Sequence, residues 1–446
     1  MGLGVHGGGV GVAAWAAKHG SDVLVTDMKT RKELSNSIKQ LAKYKKIKYR
    51  LGKHTEDDFK NIDIVVANPI IRQDNKFLTI ARKYNTKIYN DVSLFMDFCP
   101  CEVIGITGTK GKSTTASLVY NLLKGGKRKV YLGGNIRISP FSFLDRLNKD
   151  DLVILEISSW QCEGLASIKK SPHISLLTNL GIDHLNTYKS FAAYAQAKAL
   201  LFKYQGKDDY AILNKQDKYS QKLFKNIKSN KLFFNIKSKS NNYILNNHIY
   251  YINKKILPLS DLKLIGKHNY ENILAALTIG QLFNVSIVKV KQILSTFKTL
   301  AGRMEKVRLL DNILYINDTT ATAPLPVIST INAIASPIIL IAGGNDKKLD
   351  LDKLAKIIIK RINFVALLPG SATDYLIKFF KKEKFVDYKV VMSMTAAVIL
   401  AKRKAISGDT ILLSPGATSF GLFVNEFDRG DKFIKVVKEL NKWQKL

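Results

Sequence analysis

The run Gly105-Ile-Thr-Gly-Thr-Lys-Gly-Lys-Ser-Thr114 brings glycines, lysines and hydroxyls together at a spacing that can hold the phosphates of a nucleotide. A glycine-rich turn between a strand and a helix directs backbone N–H groups and the positive end of the helix dipole at an anion. In that chemistry Lys112 reaches the terminal phosphates and the Ser113 hydroxyl ligates Mg²⁺, while Gly108, Thr109, Lys110, Gly111 and Thr114 shape the cradle. Gly105 precedes Gly111 by six positions, one more than the plain Walker spacing. The flanks agree with the reading. Glu102–Thr107 is an apolar run suited to a buried parallel strand, and Ala116, Leu118, Val119, Leu122 and Leu123 recur at helical spacing.

Three further side chains could take part. Glu156 closes the apolar run Leu152-Val-Ile-Leu-Glu-Ile157. It either caps the helix that follows or ligates Mg²⁺, and the phosphate loop in the same sheet favours the metal. Ile174-Ser-Leu-Leu-Thr-Asn179 runs into Asp183 and His184, and Lys198 follows His184 by fourteen residues across a helical stretch. Composition alone leaves Asp183 and His184 readable as loop solvation and Lys198 as a surface lysine. Polar residues just past the C-terminal ends of parallel strands are nevertheless where open α/β sheets bind ligands.

These groups need a scaffold. At 446 residues the chain exceeds a single core, and about three α/β domains are expected, over 1–97, 98–299 and 300–446. The first opens with Gly2-Leu-Gly-Val-His-Gly-Gly-Gly-Val-Gly11, then a helical stretch and a strand ending in Asp27, which is a Rossmann-like turn with Asp27 near a ribose-binding position. The strand that should precede these glycines is missing, so either the start lies upstream or the sheet lacks an edge. The second carries the phosphate loop. Within it, residues 207–263 are rich in Lys, Asn and Ser and read as a variable, partly β excursion. The third repeats strand and polar turn four times, at Ile313–Asp318, Ile338–Gly344, Phe364–Pro369 and Thr410–Pro415, as a second doubly wound sheet would.

The formal charge of +34 invites a nucleic-acid reading, but the lysines are spread over nearly every segment with no aromatic-interleaved basic stripe. No specific nucleic-acid partner is expected. Cys99, Cys101 and Cys162 form no Cys-x-x-Cys pair, which argues against a disulfide framework and a zinc site. No run of about 18 uncharged apolar residues exists, and the N-terminus lacks the layout of a signal peptide. A cytoplasmic location is the expectation.

Several long motifs occur in the order found in Mur ligases, the ATP-dependent amino-acid-adding enzymes of peptidoglycan synthesis. They are the phosphate loop, Glu156-Ile-Ser-Ser-Trp-Gln161, Asn179-Leu-Gly-Ile-Asp-His184, Gly266-Lys-His-Asn-Tyr-Glu-Asn272 and Gly302-Arg-Met-Glu305. Tyr315–Thr322, Gly343-Gly-Asn-Asp-Lys347, Leu413–Phe420 and Asn425-Glu-Phe-Asp-Arg-Gly430 resemble third-domain motifs, most closely those of the D-glutamate-adding member. The resemblance runs nearly end to end.

It implies a Rossmann-like UDP-substrate domain, a central ATPase domain and a Rossmann-like domain for the amino acid, in a monomer. ATP converts the carboxylate of UDP-N-acetylmuramoyl-L-alanine to an acyl phosphate, which the amine of D-glutamate attacks. On that likeness the loop residues bind ATP, with Lys112 on the migrating phosphoryl group and Ser113 and Glu156 on one Mg²⁺. His184 and Lys198 serve a second Mg²⁺, Lys198 as a carbamate. Asn272, Arg303 and Asp318 fall on the nucleotide side. Val5, His6, Asp27, Lys29 and Asn135 hold the UDP substrate, and Thr322, Lys347 and Ser419 the D-glutamate. The chain departs from the common pattern at Thr320, where many relatives carry lysine, at Ile70, and in the order Asn425-Glu426-Phe427. Rival readings are another Mur or folylpolyglutamate-type amide ligase, or a non-catalytic ATP- or polyanion-binding protein.

Overall fold

The computed structural model describes residues 1–446 apart from 5–6, 137, 182–186, 237–241, 265–266, 298–300, 347–348, 420 and 444–446, and only the backbone of 267–268 and 441–443. Its contacts group into two compact units, one of Met1–Leu262 with Lys267–Phe297, the other chiefly of the residues after Phe297.

The first unit begins with two parallel strand pairs, β1 (Leu24–Asp27) with β2 (Lys48–Leu51) and β3 (Ile64–Val66) with β4 (Lys87–Tyr89). The segment Met1–Leu3 runs between them. The Gly2 N–H donates to Thr26 O (2.7 Å), Met1 N donates to Val66 O (2.9 Å), and the Asn68 N–H donates to Met1 O (2.8 Å). Leu3 is buried. The slot expected to be empty is therefore partly filled, and it is central rather than at an edge. Positive φ at Gly2 (72°) and Gly4 (66°) keeps the segment from being a regular strand.

The central sheet has six parallel strands in the order β10-β9-β8-β5-β7-β6. They are β5 (Glu102–Thr107), β6 (Val130–Gly134), β7 (Leu152–Glu156), β8 (Ile174–Leu177), β9 (Tyr210–Asn214) and β10 (Asn230–Phe234). β7 and β8 are buried along their whole length, as suits predominantly apolar strands covered on both faces. Part of the expected excursion thus belongs to this sheet as β9 and β10. Further along, β11 (Asn242–Leu245), β12 (His248–Tyr251) and β13 (Lys254–Pro258) form an antiparallel meander.

The expected boundary at 97/98 is crossed by one continuous core. Val92, Phe95 and Met96 of the helix Asp91–Phe98 pack with Val103, Val153, Leu155, Cys162 and Leu165 of the central sheet and its helices. Hydrogen bonds reinforce the junction: Asn90 Nδ2 donates to Gln161 O (3.0 Å), and Gln161 Nε2 to Asp91 Oδ2 (3.1 Å). This shared core makes the first two expected domains one compact unit.

The second unit holds a six-stranded sheet in the order β14-β15-β19-β16-β17-β18, parallel except for β14. The four expected strands are β15 (Ile313–Asn317), β16 (Ile338–Gly343), β17 (Ile362–Leu368) and β19 (Thr410–Leu413). Sequence patterning missed β14 (Glu305–Leu310), a half-exposed hairpin partner, and β18 (Tyr388–Val390), a short edge strand.

Candidate functional site

The phosphate loop leaves β5 and enters the helix Lys112–Leu123. Its glycines are required by geometry. Gly108 (φ +148°) would place a Cβ 1.9 Å from Thr178 Oγ1, and Gly111 (φ +84°) one 2.0 Å from Asn272 Oδ1. The end of β8 braces the turn from the side. The Thr109 N–H donates to Asn179 O (2.9 Å), the Lys110 N–H to Asn179 Oδ1 (2.9 Å), and Thr178 Oγ1 to Lys110 O (2.5 Å). Two N–H groups expected to face an anion are therefore engaged with Asn179. The Lys112 ammonium lies back over the loop, donating to Gly108 O (2.9 Å) and Thr109 O (3.2 Å). Ser113 and Thr114 are buried in the first turn of the helix. Asn272, on the helix Lys267–Leu282, sits beneath Gly111, accepts from Thr115 Oγ1 (3.4 Å) and donates to Asn269 Oδ1 (3.1 Å).

Glu156 ends β7 at 1% exposure. Its Oε1 accepts from Asn135 Nδ2 (3.0 Å), and its carbonyl accepts from the Asn135 N–H (2.8 Å). Among the described residues its Oε2 has no hydrogen-bond partner. A buried carboxylate oxygen without a partner is unfavourable by a few kcal/mol, and a divalent cation would satisfy it. The donor set of a carboxylate and the Ser113 hydroxyl suits Mg²⁺, which prefers oxygen ligands. The helix-capping alternative is not what Glu156 does. The helix Ser159–Ile168 is capped by Ser158, whose Oγ accepts from the Gln161 N–H (3.2 Å).

Lys198 is 1% exposed on the helix Phe191–Ala199, so the surface-lysine reading fails. Its Nζ lies 3.4 Å from Thr107 Oγ1 and 4.8 Å from the centroid of the Tyr194 ring. The Tyr194 hydroxyl donates to Thr109 Oγ1 (3.2 Å), so one tyrosine spans from the buried lysine to the phosphate loop. Cys162 Sγ lies 3.9 Å from Thr107 Oγ1. Burial pushes its thiol up to about 11, against the opposing pull of Lys198. Asp183 and His184 lie outside the described residues.

On the expected UDP side, the buried Asp27 carboxylate accepts from the Gly4 N–H (3.2 Å) and the Lys29 N–H (2.9 Å). Val5 and His6 lie outside the described residues. Asp91 went unnoticed in the sequence. It is buried beside Gly8, and burial raises its carboxyl against the lowering effect of Gln161.

In the second unit, Asp318 closes β15 with its carboxylate enclosed. Thr330 Oγ1 and Ser414 Oγ donate to Oδ2 (both 2.8 Å), and the Met304 N–H donates to Oδ1 (3.1 Å). Burial outweighs these donors and the nearby Arg303 charge, and pushes Asp318 up to about 6. Thr320 donates to Gly302 O (3.0 Å), and the Thr322 N–H bonds to Thr320 O (2.9 Å). Ser419 is buried, and Lys347 lies outside the described residues. The organising group is Arg429, quoted in a motif but given no role by sequence reasoning. At 0% exposure it donates to Thr319 Oγ1 (3.1 Å), Thr319 O (2.9 Å) and Ala417 O (3.2 Å). It thereby ties the loop carrying Asp318 and Thr322 to the loop carrying Ser419.

Residues 106–280 match the Mur ligase middle domain family. A UDP-N-acetylmuramoylalanine–D-glutamate ligase of Borreliella afzelii is 38% identical over 99% of this chain and 97% of its own length. A protein of the same name from Roseiflexus is 35% identical over 98% and 97%. Among solved structures, the UDP-N-acetylmuramate–alanine ligase MurC of Thermotoga maritima superposes with a TM-score of 0.66 at 20% identity, covering 98% of each chain. MurF of the same organism, in complex with ADP, gives 0.59 at 16% identity over 86% of this chain and 97% of its own. By this near-full-length identity the chain belongs to the Mur ligase family, alongside the UDP-N-acetylmuramoylalanine–D-glutamate ligases.

Proposed function

We propose that the chain is an ATP-dependent ligase that adds D-glutamate to UDP-N-acetylmuramoyl-L-alanine in the synthesis of peptidoglycan precursor. The observation that carries this is the braced phosphate loop sharing one sheet with a buried, half-satisfied Glu156, with Lys198 buried on the helix beside it against Thr107. A carboxylate is a poor electrophile until one of its oxygens becomes a good leaving group. In the first step a substrate carboxylate oxygen attacks the γ-phosphorus of ATP and ADP departs. In the second, the D-glutamate amine attacks the acyl carbon, phosphate leaves, and the nitrogen loses a proton. Such transfers demand positioning and charge neutralisation more than a protein nucleophile. Lys112 supplies a cation to the γ-phosphate, and the loop glycines let the backbone approach it closely.

Ser113 and Glu156 would hold one Mg²⁺, and His184 with a carbamylated Lys198 a second. Bound there, the cations would neutralise charge on the transferring phosphoryl group. Carbamylation would replace a buried cation by an anionic ligand, which fits a lysine enclosed as Lys198 is. Asn272, Arg303 and Asp318 serve the nucleotide; Val5, His6, Asp27, Lys29 and Asn135 the UDP substrate; Thr322, Lys347 and Ser419 the D-glutamate. Residues 1–97, 98–299 and 300–446 act as three functional domains of a monomer. Among the described residues no helix is long and apolar enough to cross a membrane, and a cytoplasmic site of action accords with nucleotide substrates.

The deciding experiment is mass spectrometry of UDP-N-acetylmuramoyl-L-alanine after incubation with the protein, ATP and Mg²⁺. D-glutamate, L-glutamate, L-lysine and diaminopimelate are offered separately. Addition of a single D-glutamate, and of none of the others, is expected; a different amino acid or no product refutes the assignment. For the carbamate, Lys198→Ala is expected to lose activity that short carboxylates partly restore, and absence of rescue counts against it.

A further inference from the structure

Cys99 and Cys101 flank Pro100 where the helix Asp91–Phe98 hands over to β5. Two residues apart in an extended link, their side chains project to the same side, and the two Sγ atoms lie 3.7 Å apart, with Cys99 Sγ 3.6 Å from Cys101 O. The backbone on either side is held. The Cys99 N–H donates to Phe95 O (2.8 Å), closing the helix, and Cys101 leads into a strand paired with β7 and β8. Both thiols are partly exposed and unoxidised, whereas Cys162 is buried. No group of three or more His, Cys, Asp or Glu suited to a metal exists among the described residues, so the pair is not part of a larger ligand cluster.

We propose that Cys99 and Cys101 are a reversible dithiol–disulfide couple, oxidised by low-molecular-weight disulfides of the thiol pool. The sulfurs need to close from 3.7 Å to about 2.05 Å, a movement of under 2 Å. Pro100 between them limits how far they can separate.

The two thiols are not equivalent. The Cys101 side chain hydrogen-bonds to Cys99 and holds the Cys99 thiol below its ordinary range, while Cys101 itself is pushed up by the same bond and by burial. Cys99 is therefore the attacking thiolate. It displaces one thiolate from the small disulfide, forming a mixed disulfide at Cys99; the proton Cys99 lost goes to that leaving group. Cys101, deprotonated in its turn, attacks the Cys99 sulfur and expels the second small thiolate, which takes the Cys101 proton. Two protein thiols are oxidised to one disulfide, and one small disulfide is reduced to two thiols.

The test equilibrates the folded, full-length protein in glutathione buffers of graded ratio. Each sample is quenched in acid, denatured and alkylated, and its intact mass is read. Two of the three alkyl adducts are expected to disappear together, leaving one that peptide mapping assigns to Cys162. The oxidised fraction should rise from about one tenth to about nine tenths over a roughly 100-fold change in [GSH]²/[GSSG]. Cys101→Ser, lacking the resolving thiol, should accumulate one glutathione on Cys99. Three adducts at every ratio, a persistent glutathione adduct on the wild type, or a disulfide involving Cys162 would each overturn the proposal.

Discussion

Replacing Arg429 by lysine keeps a positive charge but removes the planar fork that serves two loops at once. Arg429 makes three hydrogen bonds at 0% exposure, to Thr319 Oγ1, Thr319 O and Ala417 O. A single ammonium on an unbranched stem can keep one of them. Losing two bonds from a charged, buried donor amounts to about 3–5 kcal/mol. For a unit of this size each kcal/mol lowers the melting temperature by about 2–4 °C, so the transition should fall by roughly 10 °C. Calorimetry of the full chain reads this directly. Because the same bonds align the loops carrying Thr322 and Ser419, the KM for D-glutamate should rise about tenfold, equivalent to about 1.4 kcal/mol of lost alignment. A fall of under about 2 °C together with an unchanged KM would refute the claim that Arg429 organises these loops.

Glu156→Gln keeps the shape but removes the charge opposite the expected cation. The Mg²⁺ concentration for half-maximal phosphate release should rise by on the order of 10–100-fold, and an unmoved midpoint would remove Glu156 from the metal site. Gly111→Ala forces a left-handed backbone at φ +84° on a residue with a Cβ, and that Cβ falls 2.0 Å from Asn272 Oδ1. A strain of about 1–2 kcal/mol, before Asn272 moves, should weaken binding of an ATP analogue about tenfold or more by calorimetry; wild-type affinity would contradict the loop geometry. Asp318 binds its proton more tightly folded, at about 6, than unfolded, at 3.8. Its stabilising contribution is therefore complete below the unfolded value and is lost as pH rises through about 6. Linkage makes the folded state on the order of 1 kcal/mol more stable at pH 5 than at pH 7 through this group alone. Asp318→Asn should remove that slope, measured as the difference between the two proteins' thermal stabilities at the two pH values, and parallel profiles would exclude it.

The legible parts of the molecule were the local ones. Predominantly apolar runs marked β5, β7, β8, β15, β16, β17 and β19, because strands largely buried on both faces show little polar alternation to confuse the reading. Glycines between strand and helix located the phosphate loop, and a lone acid at the end of β7 located Glu156. The half-exposed hairpin strand β14 and the short edge strand β18 escaped, since partial exposure dilutes the apolar pattern. Residues 207–263 were legible as partly β, but their pattern did not show that β9 and β10 extend the central sheet, because β9 reaches its partner β8 across an intervening helix.

Everything that depends on which side chain meets which across long separations had to wait for the folded chain. Lys198 is an ordinary lysine by composition, and only the packing of its helix against Thr107 and Tyr194 makes it a buried, chemically special one. Arg429 lies 110 residues from the Thr319 carbonyl it holds, and Gln161 lies 70 from Asp91. The slot between β1 and β3 is filled by Met1–Leu3 through bonds to Thr26, Val66 and Asn68, none of them neighbours in sequence. By itself the sequence determined most of the buried strands and the glycine-rich loop between strand and helix, because both follow from short-range sterics and residue type. The tertiary structure decided burial, and burial decides which charged groups are braced, which carboxylate oxygen is left without a hydrogen-bond partner, and which thiols meet.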